Sequence, residues 1–130
     1  MNTKEHEKEK IIFRDEVYAI VGCAMRVQRA LGPGLLEKPY ENALTVELSE
    51  AKIPFEQQKR IQIFYKKRLV GDYYADLIAH GKIIIELKTV ERITNVERAQ
   101  TLNYMRLAQC PVGLIFNFKK TILEWERLVL

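Results

Sequence analysis

Between residues 13 and 31 the apolar positions Phe13, Val17, Ile20, Ala24, Val27 and Leu31 recur every three or four residues. That spacing predicts an amphipathic helix with one buried stripe. Gly32-Pro33-Gly34 stops it, because proline cannot continue a helix and glycine frees the turn. A second helix carries Tyr40, Ala43, Leu44, Leu48 and Ala51 on one face, with Pro39 tolerated in its first turn, and Ile53-Pro54 ends it. The period then shortens to two. Ile61, Ile63 and Tyr65 alternate with Gln62 and Phe64, residues 69–78 form a second strand, and residues 83–88 a third. Lys66-Lys67 and His80-Gly81 supply the turns. Thr94-Asn95-Val96-Glu97 is a capping box that opens a helix to about residue 109, where Cys110-Pro111 breaks it. Val112-Gly113-Leu114-Ile115-Phe116 reads as a fully buried strand, and residues 122–130 as a last strand with Trp125 anchoring one face.

The resulting order is α-α-β-β-β-α-β-β. The third strand, the capped helix and the fourth strand form a β-α-β unit, which calls for a parallel pair. The first three strands, joined by short turns, should be antiparallel. A mixed α/β sheet flanked by helices follows, as a single domain over residues 13–130 behind a flexible N-terminal segment at residues 1–12.

One hairpin departs from this plain packing logic. Tyr74-Ala75-Asp76-Leu77-Ile78 and Ile83-Ile84-Ile85-Glu86-Leu87-Lys88 place two carboxylates and an amine in strands that are otherwise apolar. Charged groups stay in such strands when they pair with each other or bind a metal. Alternation puts Glu86 and Lys88 on one face. Asp76 joins them only under a further condition. A two-residue turn at His80-Gly81 pairs Asp76 with Ile85 on the wrong face, whereas a three-residue loop, His80-Gly81-Lys82, pairs it with Glu86. A bulge near Asp76 would serve as well. One of these two devices is therefore expected.

Two adjacent carboxylates repel unless a cation bridges them. Mg²⁺ suits an all-oxygen site that keeps several waters, with Mn²⁺ as the alternative. A lysine next to such a ligand can orient the attacking water and offset charge on a phosphoryl group. The competing explanation for the same three residues is an ion pair on an exposed sheet face. Glu37, at the start of the second helix, and Gln100 and Tyr104, one turn apart on the capped helix, are the further polar groups brought toward the hairpin.

Composition sets outer bounds. The chain has 130 residues, 48% of them hydrophobic and 29% charged, which suits a globular fold. No apolar run approaches the roughly 20 residues of a membrane span, and no apolar stretch marks a secretory signal. The expected location is the cytoplasm. Cys23 and Cys110 lie far apart in apolar contexts and are expected to be free buried thiols. His6 and His80 are isolated and expected at the surface. The net charge of +4 permits a polyanionic partner. Lys59, Arg60, Lys66, Lys67, Arg68 and Lys82 gather around the hairpins, either as solvated strand edges or as a phosphate-binding rim.

Gly34-Leu35-Leu36-Glu37-Lys38-Pro39-Tyr40 resembles the Gly-x-x-Glu-x-x-Tyr signature of the bacterial GxxExxY proteins, placed in the PD-(D/E)XK nuclease superfamily. The likeness extends through Tyr74-Ala75-Asp76-Leu77, Ile85-Glu86-Leu87-Lys88 and Ala99-Gln100-Thr101-Leu102-Asn103-Tyr104. It implies a restriction-endonuclease-like fold and a nuclease that hydrolyses phosphodiester bonds of DNA with Mg²⁺ or Mn²⁺. The implied metal ligands are Asp76, Glu86 and Glu37, with Lys88 assisting the water. Gln100 and Tyr104 match the Gln-x-x-x-Tyr motif of the RecB-like branch, where it lines the site and contacts nucleic acid, and Tyr40 joins them as a lining residue. Ala75 stands where the superfamily name has proline, and Pro39 falls inside the signature. The alternative is a non-catalytic module that binds nucleic acid or protein on the same scaffold. RNA as substrate and assembly as a homodimer both remain open.

Overall fold

The computed structural model describes residues 12–130, so all but the last residue of the segment expected to be flexible, and His6 with it, lie outside the described residues. The chain runs α1 (Arg14–Leu31), α2 (Glu37–Glu50), β1 (Phe55–Tyr65), β2 (Arg68–Ala79), β3 (Ile83–Lys88), α3 (Asn95–Ala108), β4 (Val112–Asn117) and β5 (Glu124–Val129). The strands form one sheet in the order β1-β2-β3-β4-β5. Among the described strands only β3 and β4 are parallel, and α3 is the crossover between them. The expected element order and the mixed sheet are both present.

Two boundaries differ from expectation. β1 begins at Phe55 rather than Ile61, because Glu56-Gln57-Gln58-Lys59-Arg60 lies exposed on an edge strand where no apolar alternation is needed. β5 begins at Glu124, since Leu123 tucks under the core while Ile122 stands in solvent.

Each face of the sheet has its own core. Leu77, Ile83, Ile85, Leu87, Leu114 and Phe116 meet the α1 and α2 stripes, including Ile20, Ala24, Val27, Leu44 and Leu48. Burying each large aliphatic chain stabilises the fold by about 1.5–3 kcal/mol before entropy is counted. The opposite face is smaller, with Ile61, Ala75, Ile78 and Ile84 against Met105 and Cys110. There α3 lies close on the strands. A Cβ on Gly113 of β4 would come within 2.5 Å of Met105 Sδ and 3.2 Å of Thr101 Cγ2. The capping box at the start of α3 is formed, with Val96 N–H donating to Thr94 Oγ1 and Thr94 N–H donating to Glu97. Buried Asn117 of β4 ties down the segment after β3 by exchanging hydrogen bonds with the backbone of Val90 (3.0 and 2.8 Å). Cys23 and Cys110 are free and buried, His80 is exposed, and no described helix is long and apolar enough to cross a membrane.

Candidate active site

The β2–β3 hairpin pairs Ala79 with Ile83, so its loop is His80-Gly81-Lys82, the three-residue device. His80 and Gly81 take positive φ angles of 54° and 66°, and Lys82 N–H donates back to Ala79 O at 3.1 Å. Continued one step, this register sets Asp76 opposite Glu86. The ladder stops one pair short, at Leu77↔Ile85, and the strands part there. The Leu87 N–H donates to Asp76 Oδ2 at 2.9 Å.

Asp76 is also where β2 changes face. Leu77 and Ala79 point to the α1/α2 core and Ile78 to α3, yet Ala75 joins Ile78 rather than Leu77. Regular alternation forbids that for residues three apart. Directly across, Gln58 of β1 has φ 52°, a left-handed conformation inside a strand. Asp76 is therefore placed by both the loop and a local irregularity.

The electrostatics follow from this crowding. Glu86 is 4% exposed. Burial, and then the neighbouring charge of Asp76, push its carboxyl up to about 8, and the two acids are close enough to share a proton. The Tyr73 hydroxyl donates to Glu86 Oε1 and partly offsets that push. The Tyr73 ring stacks on Tyr104 of α3 at 3.3 Å between centroids. Burial raises Asp76 too, opposed by the Leu87 N–H and reinforced by Glu41. Lys88 Nζ donates to Gln100 Oε1 at 3.1 Å, and its positive charge favours the ionised forms of Glu37, Asp76 and Glu86.

Helix α2 brings acids from the other face. Glu37 is its first residue, half-buried, with a carboxyl raised mainly by that burial and also by Asp76. Tyr40 is not a lining residue. Fully buried and stacked on Phe118 at 4.6 Å, it donates to Gly32 O (2.6 Å) and accepts from Leu35 N–H (3.2 Å). The spacing of Gly34, Glu37 and Tyr40 thus has a physical meaning. Gly34, at φ 109°, makes the turn, Tyr40 clamps it, and Glu37 emerges at a fixed angle. A groove of about 470 Å³, lined by Leu35, Leu36, Thr89 and Lys119 among others, flanks Glu37 and Lys88 along the chain.

A model of the PD-(D/E)XK nuclease superfamily matches residues 14–128. The chain belongs to the PD-(D/E)XK nuclease superfamily. Its five-stranded mixed sheet and α-α-β-β-β-α-β-β order make up the restriction-endonuclease-like fold of that superfamily. Asp76 and the Glu86-x-Lys88 pair lie on the β2–β3 hairpin, within the matched residues. No curated protein and no solved structure gives a significant match to the chain.

Three polar residues of this PD-(D/E)XK domain escaped the sequence argument. Glu41 is buried one turn after Glu37 and accepts from Lys38 Nζ (2.9 Å), Gln57 Nε2 (2.5 Å) and Gln58 Nε2 (3.0 Å). Its i,i+4 spacing from Glu37 was the available signal. Gln58 also reaches Asp76 Oδ1 at 3.4 Å, and Tyr73 holds Glu86. Neither residue has a sequence signal, since both depend on the twist at Asp76.

The donor set fits a hard divalent cation. It is all oxygen, and two carboxyls share one site, both raised chiefly by burial. Among the described residues, however, no three Asp, Glu, His or Cys side chains stand together closely enough to hold an ion. Asp76 and Glu86 meet, while Glu37 is coupled to them through charge.

Proposed function

We propose that this chain is a metal-dependent nuclease of the GxxExxY type, on the RecB-like branch of its superfamily, hydrolysing phosphodiester bonds of DNA in the cytoplasm. The observation that carries this is the Asp76–Glu86 contact, with Asp76 raised by burial and Glu41, Glu86 raised by burial and the charge of Asp76, and Lys88 alongside. Asp76 and Glu86 would hold Mg²⁺ or Mn²⁺, with Glu37 as the further acid whose charge bears on the same site. When bound, such an ion lowers the pKa of water and offsets charge on a phosphoryl oxygen. Lys88, fixed by Gln100, holds positive charge where the phosphoryl oxygens gain negative charge. Tyr73 keeps Glu86 in one orientation, and Tyr104 holds Tyr73 flat from α3. Burial raises the Tyr73 hydroxyl, so it stays protonated and remains a donor.

The test is cleavage of single- and double-stranded DNA with Mg²⁺ or Mn²⁺ by wild type, Asp76→Ala and Lys88→Ala. Cleavage by wild type alone supports the proposal. Equal rates in all three, or no cleavage in any, overturns it. One observation favours a second reading, a non-catalytic nucleic-acid-binding module. Both carboxylates are already satisfied by protein donors, Leu87 N–H and the Tyr73 hydroxyl. Tight DNA binding that is indifferent to divalent ions would select it.

A further inference from the structure

The β1–β2 ribbon serves core and site at its base, through Ile61, Ala75 and Tyr73, but its outer end beyond Gln62 and Asp72 joins neither the core nor the site. From Lys59↔Ala75 to Tyr65↔Arg68 these strands pair only with each other, because β3 meets β2 only at residues 77–79. Those seven residues of β1, at about 3.3 Å each, carry the tip roughly 20 Å beyond Asp76. A two-stranded ribbon is marginally stable alone. Ile61 and Tyr73 rest against α3 at its base. Toward the tip, Phe64, Tyr65, Leu69 and Val70 are all about half exposed or more.

Charge is distributed along it unevenly. At the base, Lys59 pairs with Glu56 (2.8 Å) and Arg60 with Asp72 (2.8 Å). At the tip, Lys66, Lys67 and Arg68 are consecutive, and none has an ion-pair partner among the described residues. Lys66 Nζ lies 5.6 Å from the Tyr65 ring centroid, and both turn lysines hold positive φ (48° and 66°). The ribbon's acid is thus engaged at the base while its free cations crowd the far end.

We infer that this ribbon is an arm that enters the major groove of double-stranded DNA whose backbone lies at Asp76 and Glu86. The inference deepens the nuclease reading and rests on it for where the cut falls. Three arguments select this occupant. The uncompensated cations call for a polyanion. A B-form major groove, about 12 Å wide, admits a two-stranded ribbon, whereas the major groove of A-form RNA is too deep and narrow. The paired Phe64 and Leu69 offer apolar contact to base edges such as the thymine methyl. At 3.4 Å per base pair, a reach of roughly 20 Å places the tip contacts about six base pairs from the scissile phosphate.

The experiment measures equilibrium binding of the full chain in EDTA, without cleavage, to a 20-base-pair duplex DNA, the matching duplex RNA and the single strand, across salt. Wild type is compared with the triple variant Lys66→Ala/Lys67→Ala/Arg68→Ala, whose fold is verified by thermal melting. For duplex DNA, loss of two to three phosphate contacts lowers the slope of log K against log salt by about 2–3 and weakens low-salt binding at least tenfold. Binding of duplex RNA and of the single strand should change far less. An unchanged slope for duplex DNA overturns the inference, and so does an equal loss on all three nucleic acids. A wild-type dimer that Phe64→Ala/Leu69→Ala dissociates, with DNA binding intact, also overturns it, in favour of a second copy as the occupant. A protein that binds through the tip and cuts nothing sinks the nuclease reading alone. One that cuts with an unchanged salt slope sinks only the arm.

Discussion

The two ends of strand β2 obey different physics. Leu77, Ile78 and Ala79 are sealed between helices on both faces of the sheet, with β1 on one side and β3 on the other. Residues 68–74 have a single strand neighbour, and most of their side chains face water. Asp76 sits at the junction, where β3 peels away and the strand changes face. The sealed end supplies rigidity and low dielectric, and the open end supplies access. A carboxylate placed farther in would have no room for a substrate, and one farther out would lack the burial that raises its proton affinity. The left-handed Gln58 opposite the junction is the strain of joining the two regimes, of order 1–3 kcal/mol.

Substitutions along this one strand test the contrast. The largest effect is expected at the junction. Asp76→Ala should reduce metal-dependent cleavage at least about 100-fold. Its melting temperature should move less than that of its neighbour, because the Leu87 N–H it abandons is offset by relief of repulsion on Glu86. Next comes Leu77→Ala, which removes a fully buried side chain and should cost about 2–5 kcal/mol in urea unfolding. Adjacent residues would then separate activity from stability, and a large stability loss at Asp76 with intact cleavage would reverse their assigned roles.

The third effect is a pH dependence. The Glu86 carboxyl is held at about 8 against an ordinary 4.5, so in that interval the folded, metal-free chain keeps a proton that the unfolded chain has released. Stability should therefore fall as pH rises from about 5 to about 8, by on the order of 3 kcal/mol. Glu86→Gln should flatten the profile and melt above wild type at pH 8. A wild-type melting temperature that is level or rising over this range, in EDTA, would contradict the buried pair. The smallest effect belongs to the open end, where Leu69→Ala should change stability by no more than about 0.5 kcal/mol. A larger loss would mean that the ribbon packs against something within the protein.

Much of this was legible because helical and strand periodicities are written in apolar positions. The α1 stripe, the capping box at Thr94 and the buried β4 all follow from residue type at fixed spacing. The hairpin arithmetic was legible too, since loop length decides which side chains face each other. What stayed hidden lies where apolar pattern gives no information. The first half of β1 is polar on an edge, so its strand character comes only from pairing with β2. Gln58 and Tyr73 reach the site through the twist at Asp76, a tertiary event with no local signature, whereas Glu41 comes from α2, one turn after Glu37. Tyr40 misled for the opposite reason. The family resemblance implied a lining role for it, but its hydroxyl is occupied by the backbone of the preceding turn.

Gly113 acts as a depth stop for the whole site. It touches none of the polar groups, yet the space its missing side chain leaves is filled by Thr101 and Met105, the immediate neighbours of Gln100 and Tyr104. How far α3 sinks toward the sheet decides whether Gln100 meets Lys88 and whether Tyr104 lies flat on Tyr73. A single methyl group at this point on β4 would act as a shim under the helix, loosening two contacts on β3 and β2 together. The alignment of the lysine is therefore governed from the neighbouring strand, by the thickness of an atom that is not there.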